Sequence, residues 1–200
     1  MVRALWACIA FLSLIMIAVA TRRLLHLSRP AMDFEAAFAR HPVLTLAHIL
    51  PGILFVALGP FQFMAGLRRR RPALHRWMGR VFLADSFLIG VTALVMSPQM
   101  AIGGPLESAA TFFFGVLFLA SLGRAFAAIR ARRIAEHRRW MIRAYAIGLG
   151  VATVRPIVGV FFATSRITHL SPHDFFGIAF WLGFTLSLAA AETWIRVKSV

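Results

Sequence analysis

Seven histidines, seven acids and one cysteine in 200 residues set the side-chain chemistry open to this chain. Two of the histidines begin similar runs. His75-Arg76-Trp77-Met78-Gly79-Arg80 is echoed by His137-Arg138-Arg139-Trp140-Met141-Ile142-Arg143, the order His, Arg, Trp, Met, Arg recurring with one inserted residue. Paired neutral imidazoles on neighbouring helices are a haem-iron ligand set, so His75 and His137 are the metal ligands to expect if haem b is the cofactor, with Arg80 and Arg143 against its propionates. Without iron, the same groups with Gln62 and Asp85 would suit a quinone or an anionic lipid. His48 and Arg155 form a second, separate pair of candidates. No acid pair, HExxH, P-loop, glycine-rich nucleotide fingerprint or Ser-His-Asp arrangement is present, so no catalytic residue is assigned. Cys8 is alone in an apolar run, which excludes an intrachain disulfide and a thiolate cluster.

The elements that must position these residues follow from composition. The chain is 60% hydrophobic and 14% charged, with a mean hydropathy of +0.79. One soluble core cannot hide that much apolar surface. A crossing helix needs about 20 mostly apolar residues for roughly 30 Å of hydrocarbon. Six passages meet this, near 4–20, 43–66, 77–97, 106–129, 140–163 and 174–195. Runs such as Phe112-Phe113-Phe114-Gly115-Val116 are apolar on every side and do not alternate, which excludes a β-barrel. The expected fold is an all-α bundle of six transmembrane helices in one domain, 1–200. A cleaved leader would also begin with Arg3, an apolar run and Ala18-Val19-Ala20, but the run from Ala4 to Ala20 exceeds the usual 7 to 15 residues and favours an uncleaved helix.

Charge sets the orientation. Lys and Arg number 22 against seven acids, a formal net charge of +15. They cluster at 68–76 and 124–139 and are absent from the loop around Ser97 to Glu107, so the rich loops and both termini are expected in the cytoplasm. Arg22, Arg23, Arg29 and Arg40, in a segment assigned outside, are the exception. Such short basic runs between apolar passages suit the anionic lipid head groups of the cytoplasmic leaflet, not nucleic acid. The Arg/Ala-rich usage points to a bacterial inner membrane.

Depth then sorts the polar residues at 1.5 Å of rise each. Taking Trp77 and Trp140 as the inner boundary, Arg80 and Arg143 lie about 4 to 5 Å inside it and Asp85 about 12 Å. The inner layer is therefore Gln62, His75, Arg80, Asp85, His137 and Arg143, and it is the expected ligand site. The outer layer is His48, about 8 Å below Val43, with Arg155 near the same height. A deep carboxylate needs a partner, so Asp85 is expected to pair with Arg80 or Arg143. Pro51-Gly52 and Gly59-Pro60 should interrupt the second passage, and broken membrane helices often border cavities. Ser171-Pro172 with Asp174, and Pro105 with Glu107, should open the sixth and fourth helices.

His48 with Pro51-Gly52, Gly59-Pro60-Phe61-Gln62-Phe63, the two His-Arg-Trp-Met runs, Ala144-Tyr145 and Arg155 resemble the pattern of a bacterial family of predicted membrane proteins, domain-of-unknown-function family 2306, across roughly residues 43–156. The resemblance implies membrane location and no particular activity. His75 and His137 are also similar to one haem-ligating pair of membrane cytochromes of the ferric reductase type. The fourth passage has no histidine, so His48 lacks the partner that second family would supply. Two other classes of function stand beside ligand binding: a non-catalytic assembly or lipid-binding component, and a small transporter resting on the kinked second passage and on a parallel repeat of the last two hairpins.

Overall fold

The computed structural model describes residues 2–28 and 35–198, with the side chains of residues 2 and 3 left aside. Arg29 and the Arg3 side chain therefore lie outside the described residues. Eight helices follow one another: α1 Val2–Leu25, α2 Ala36–Arg40, α3 Pro42–Phe63, α4 Ala65–Arg70, α5 Pro72–Met100, α6 Gly104–Arg130, α7 Ile134–Thr168 and α8 Pro172–Val197. No strand occurs among the described residues, and α1, α3, α5, α6, α7 and α8 are long and apolar enough to cross a membrane. The all-α, six-span expectation is met.

The long helices overrun the expected passages where the chain turns basic. α7 has 35 residues, about 52 Å at the helical rise and well beyond the hydrocarbon thickness. α5 begins at Pro72, five residues before Trp77. Hydropathy marks where lipid ends, whereas arginine and alanine are good helix formers and carry the backbone on into the head-group zone. α8 opens as expected: the Ser171 N–H donates to Asp174 Oδ2 at 2.9 Å and the Asp174 N–H returns a bond to the Ser171 carbonyl at 3.0 Å. Neither proline ends α3; the helix runs through Pro51 and Pro60 to Phe63, and extended Met64 separates it from α4.

The core is an aromatic column. Phe55 of α3 stacks on Phe82 of α5 with centroids 5.0 Å apart and meets Tyr145 of α7 at 5.4 Å and Phe118 of α6 at 6.1 Å. Glycines let these rings in. A Cβ on Gly148 would lie inside the Phe55 ring, and one on Gly59 inside the Tyr145 ring. These two contacts fix a register: as the number rises from 55 to 59 along α3, its partner falls from 148 to 145 along α7, so the two helices face each other antiparallel. Outward, Phe87, Phe112, Phe113 and Trp77 are more than half exposed, as suits lipid-facing positions. One end of the bundle carries the arginine-rich loops. The opposite end, with residues 20–28, 35–45, 97–107 and 166–174, is called the far end below.

Candidate functional site

A cavity of about 220 Å³ opens in the far half of the bundle, bordered by all six long helices. Its apolar wall includes Phe55, Phe114, Phe118, Phe176, Phe180 and Phe184, while His48, Arg155, Glu107 and Arg23 supply its ionisable groups. At roughly 30 Å³ per liquid water the volume equals about seven waters, enough for a ring-sized group with a few methylenes and too little for a whole phospholipid. Three helices carry an internal proline beside it: Pro51 in α3, Pro98 in α5 and Pro156 in α7. Each takes the helical donor from the carbonyl four residues earlier, Ala47, Leu94 and Ala152, and its ring crowds that turn. Taken from the level of His48, Thr92 and Arg155, Pro51 lies about 4.5 Å toward the arginine-rich end and Pro98 about 9 Å toward the far end, so the three prolines are spread along the cavity.

The register of the core places His48 and Arg155. From the contact of Phe55 with Gly148, seven residues toward the far end lead to His48 on α3 and, in the antiparallel sense, to Arg155 on α7. Seven residues are about 10.5 Å and almost two whole turns, so both side chains return to the facing sides of their helices at one height. Both line the cavity, with no hydrogen bond between them. His48 Nδ1 lies 2.9 Å from Thr92 Oγ1, which is also 2.8 Å from the Leu88 carbonyl and 3.0 Å from that of Ile89. A carbonyl only accepts, so the Thr92 proton goes to the backbone and its oxygen receives the proton on His48 Nδ1. That assigns the tautomer and leaves Nε2 with a lone pair.

Arg155 differs from every other cation around the cavity. Its Nε is fully enclosed with no acceptor, and among the described residues no carboxylate lies within ion-pair distance. Glu107 and Glu35 attract it and Arg23 repels it from a greater range. Those groups are already committed. Buried Glu35 accepts from Arg22 at 3.1 Å and from Arg23 at 2.8 Å, Arg23 also covers the Phe38 ring with its guanidinium carbon 3.8 Å from the centroid, and Glu107 Oε2 accepts the Gly103 N–H at 2.6 Å. Around the cavity, Arg22, Arg23 and Arg155 thus stand against Glu35 and Glu107, one positive charge in excess with His48 neutral.

The inner layer is divided. Gln62 lies beside Gly79, and His75 and His137 are within electrostatic reach of each other. Each of these histidines is the fourth residue of its helix, its N–H bonded at 3.0 Å to the carbonyl of Arg71 or Arg133. Arg80 is exposed, and Arg143 turns to α8, where its Nη2 donates to Glu192 Oε2 at 3.0 Å and its guanidinium sits over Trp140 at 4.6 Å. The expected pairing of Asp85 is corrected: Asp85 is buried and its Oδ2 is enclosed without a partner. Arg80 is five residues away on the same helix, about 140° round the axis, and points elsewhere. Gln62 Nε2 and His75 Nδ1 are likewise enclosed and unpartnered. His137 Nδ1 is within 2.9 Å of the Ala125 carbonyl, which orients that ring. A porphyrin would need an open slot between the two imidazoles, yet neither residue lines the cavity, so these residues do not fit haem as arranged.

Sequence reasoning placed His48 and Arg155 at one height but missed Arg23, Glu35 and Glu107. Glu107 was visible only as a helix opener, and the Arg23–Glu35 pair spans 12 positions across a turn that no local pattern signals. The prolines at 98 and 156, next to the cavity-lining Ser97 and Arg155, were a usable signal.

A family model described as predicted membrane protein (DUF2306) matches residues 45–195. No curated protein and no solved structure matches the chain.

Proposed function

The chain belongs to that family of predicted membrane proteins, and from this premise we propose that it binds an amphipathic molecule in the far-end cavity, with an electron-rich or anionic oxygen of the head group on Arg155 and the apolar part among the phenylalanines. One observation carries the reading: Arg155 lines a half-open cavity, and its buried Nε has no acceptor. An unpaired guanidinium in a low-dielectric site is costly, and ionisable groups at membrane depth mark ligand or ion sites when no protein partner answers them. The apolar wall supplies the other half of such a pocket, in which a few polar groups orient a largely hydrophobic occupant. The arginine-rich loops suit the anionic cytoplasmic leaflet of a bacterial inner membrane, which would place both termini inside and this cavity toward the outer side. Arg22 and Arg23, two of the four exceptions to the loop count, share the single carboxylate of Glu35, and Arg23 lines the cavity.

Organic extraction of the purified protein followed by mass spectrometry tests the reading. One amphiphile at about one per chain is expected from the wild type and is lost from Arg155→Leu. Equal recovery from both, or none from either, would contradict it.

A further inference from the structure

Resting on that reading, we infer that the cavity selects a hydroxylated aromatic head group of the quinol class, whose hydroxyl donates to His48 Nε2 while an oxygen across the ring accepts from Arg155. Arg155 alone would accept any oxygen-rich head, a carboxylate or phosphate included. His48 narrows the choice. Thr92 spends its proton on the backbone, holds the proton on His48 Nδ1 and so presents an acceptor at Nε2. The cavity therefore offers a donor from α7 and an acceptor from α3 at one height, on facing walls. A carboxylate or phosphate diester has no proton for Nε2 and would leave its lone pair unpaired or facing another lone pair. A quinol satisfies both ends at once.

The wall and the size favour a ring. Phe55, Phe114, Phe118, Phe176, Phe180 and Phe184 surround the space, aromatic faces suit offset or edge contact with another ring, and about 220 Å³ holds a substituted benzene ring with the start of a tail. A glycerol head group carries hydroxyls too, but it would set polar carbons against these rings. No electron transfer is part of the inference, which concerns recognition alone.

The test is equilibrium binding to the detergent-solubilised full chain under reducing, oxygen-free conditions, with a decyl-substituted benzoquinol, its bis-O-methyl ether, decanoate and a short-chain phosphatidylglycerol as probes. The ether keeps ring and tail but replaces each donated proton with a methyl group, and the His48→Phe comparison separates the lost hydrogen bond from the added bulk. The quinol is expected to bind at least about tenfold more tightly than the ether, the weight of one well-made hydrogen bond. The preference should vanish in His48→Phe and shrink in Thr92→Val, which keeps the imidazole but frees its tautomer. The wild-type comparison needs no variant, so a misfolded His48→Phe leaves the inference falsifiable. Equal binding of quinol and ether, both lost in Arg155→Leu, would overturn the quinol assignment and leave the Arg155 site standing. Tighter, His48-dependent binding of phosphatidylglycerol would transfer the site to a hydroxylated lipid. Failure of every probe, or indifference to Arg155→Leu, would sink the inference and the proposed function together.

Discussion

Asp85 and Arg143 show how a helix wheel decides which charges meet. Arg143 reaches Glu192 on α8 through two hydrogen bonds and stacks on Trp140, whereas Asp85 faces the interior with nothing to accept from. Their substitutions should therefore behave oppositely. Replacing Glu192 with Gln leaves Arg143 without its counter-charge, and because both side chains are partly exposed the loss should be modest, about 1 kcal/mol or less. Replacing Asp85 with Asn removes a buried group that must either stay charged without a partner or take up a proton, so melting should be unchanged or raised. Thermal unfolding of the two variants in one detergent checks this; a fall for Asp85→Asn larger than that for Glu192→Gln would mean that the carboxylate has a partner after all. Depth along each helix was legible from the sequence at these sites. Direction round the axis was not, since facing needs the neighbouring helix: Asp85 and Arg80 share a layer and diverge by about 140°.

At the scale of elements, the side-chain contacts that α3 makes with α7 set the register of the whole site. Phe55 occupies the space of the missing Gly148 side chain, so Gly148→Ala should push that ring from the column and destabilise the protein by about 1 to 3 kcal/mol, the usual range for overpacking a core. Gly159, on the same helix, has open space where a Cβ would go, and Gly159→Ala should be neutral or slightly stabilising because alanine is the better helix former. Thermal melting of the pair separates packing from helix propensity, and equal effects would contradict the register. The prolines of α3, α5 and α7 belong to this scale too. The sequence made Pro51 and Pro60 look like breaks, but the helix runs through both to Phe63. Helix ends such as Ser171 with Asp174 were readable because capping is local. The lengths of α5 and α7 were not, because hydropathy reports the lipid and not the backbone.

Across the whole molecule, the end with the arginine-rich loops and the end with the cavity differ in kind. Basic side chains at the first are mostly exposed, while at the second Arg22 and Arg23 pair with Glu35 and Arg155 stands beside them without an ion-pair partner among the described residues. On the proposed orientation, reporters placed near Arg70 and after Val200 should both read cytoplasm and one near Gly103 should read the outer side; the reverse at Gly103 would invert the bundle. α1 adds Met16, Val19, Ala20 and Arg23 to the cavity wall although the family match begins only at residue 45, so the site is completed by a helix outside the matched region. The most direct check of the central claim is an experimental density map of the protein purified from its own membrane. An elongated feature is expected between α3 and α7, one end within hydrogen-bonding distance of the Arg155 guanidinium and of His48 Nε2, the other among Phe114, Phe118 and Phe184. Arg155 paired directly with Glu107 or Glu35 across a collapsed cavity would contradict it.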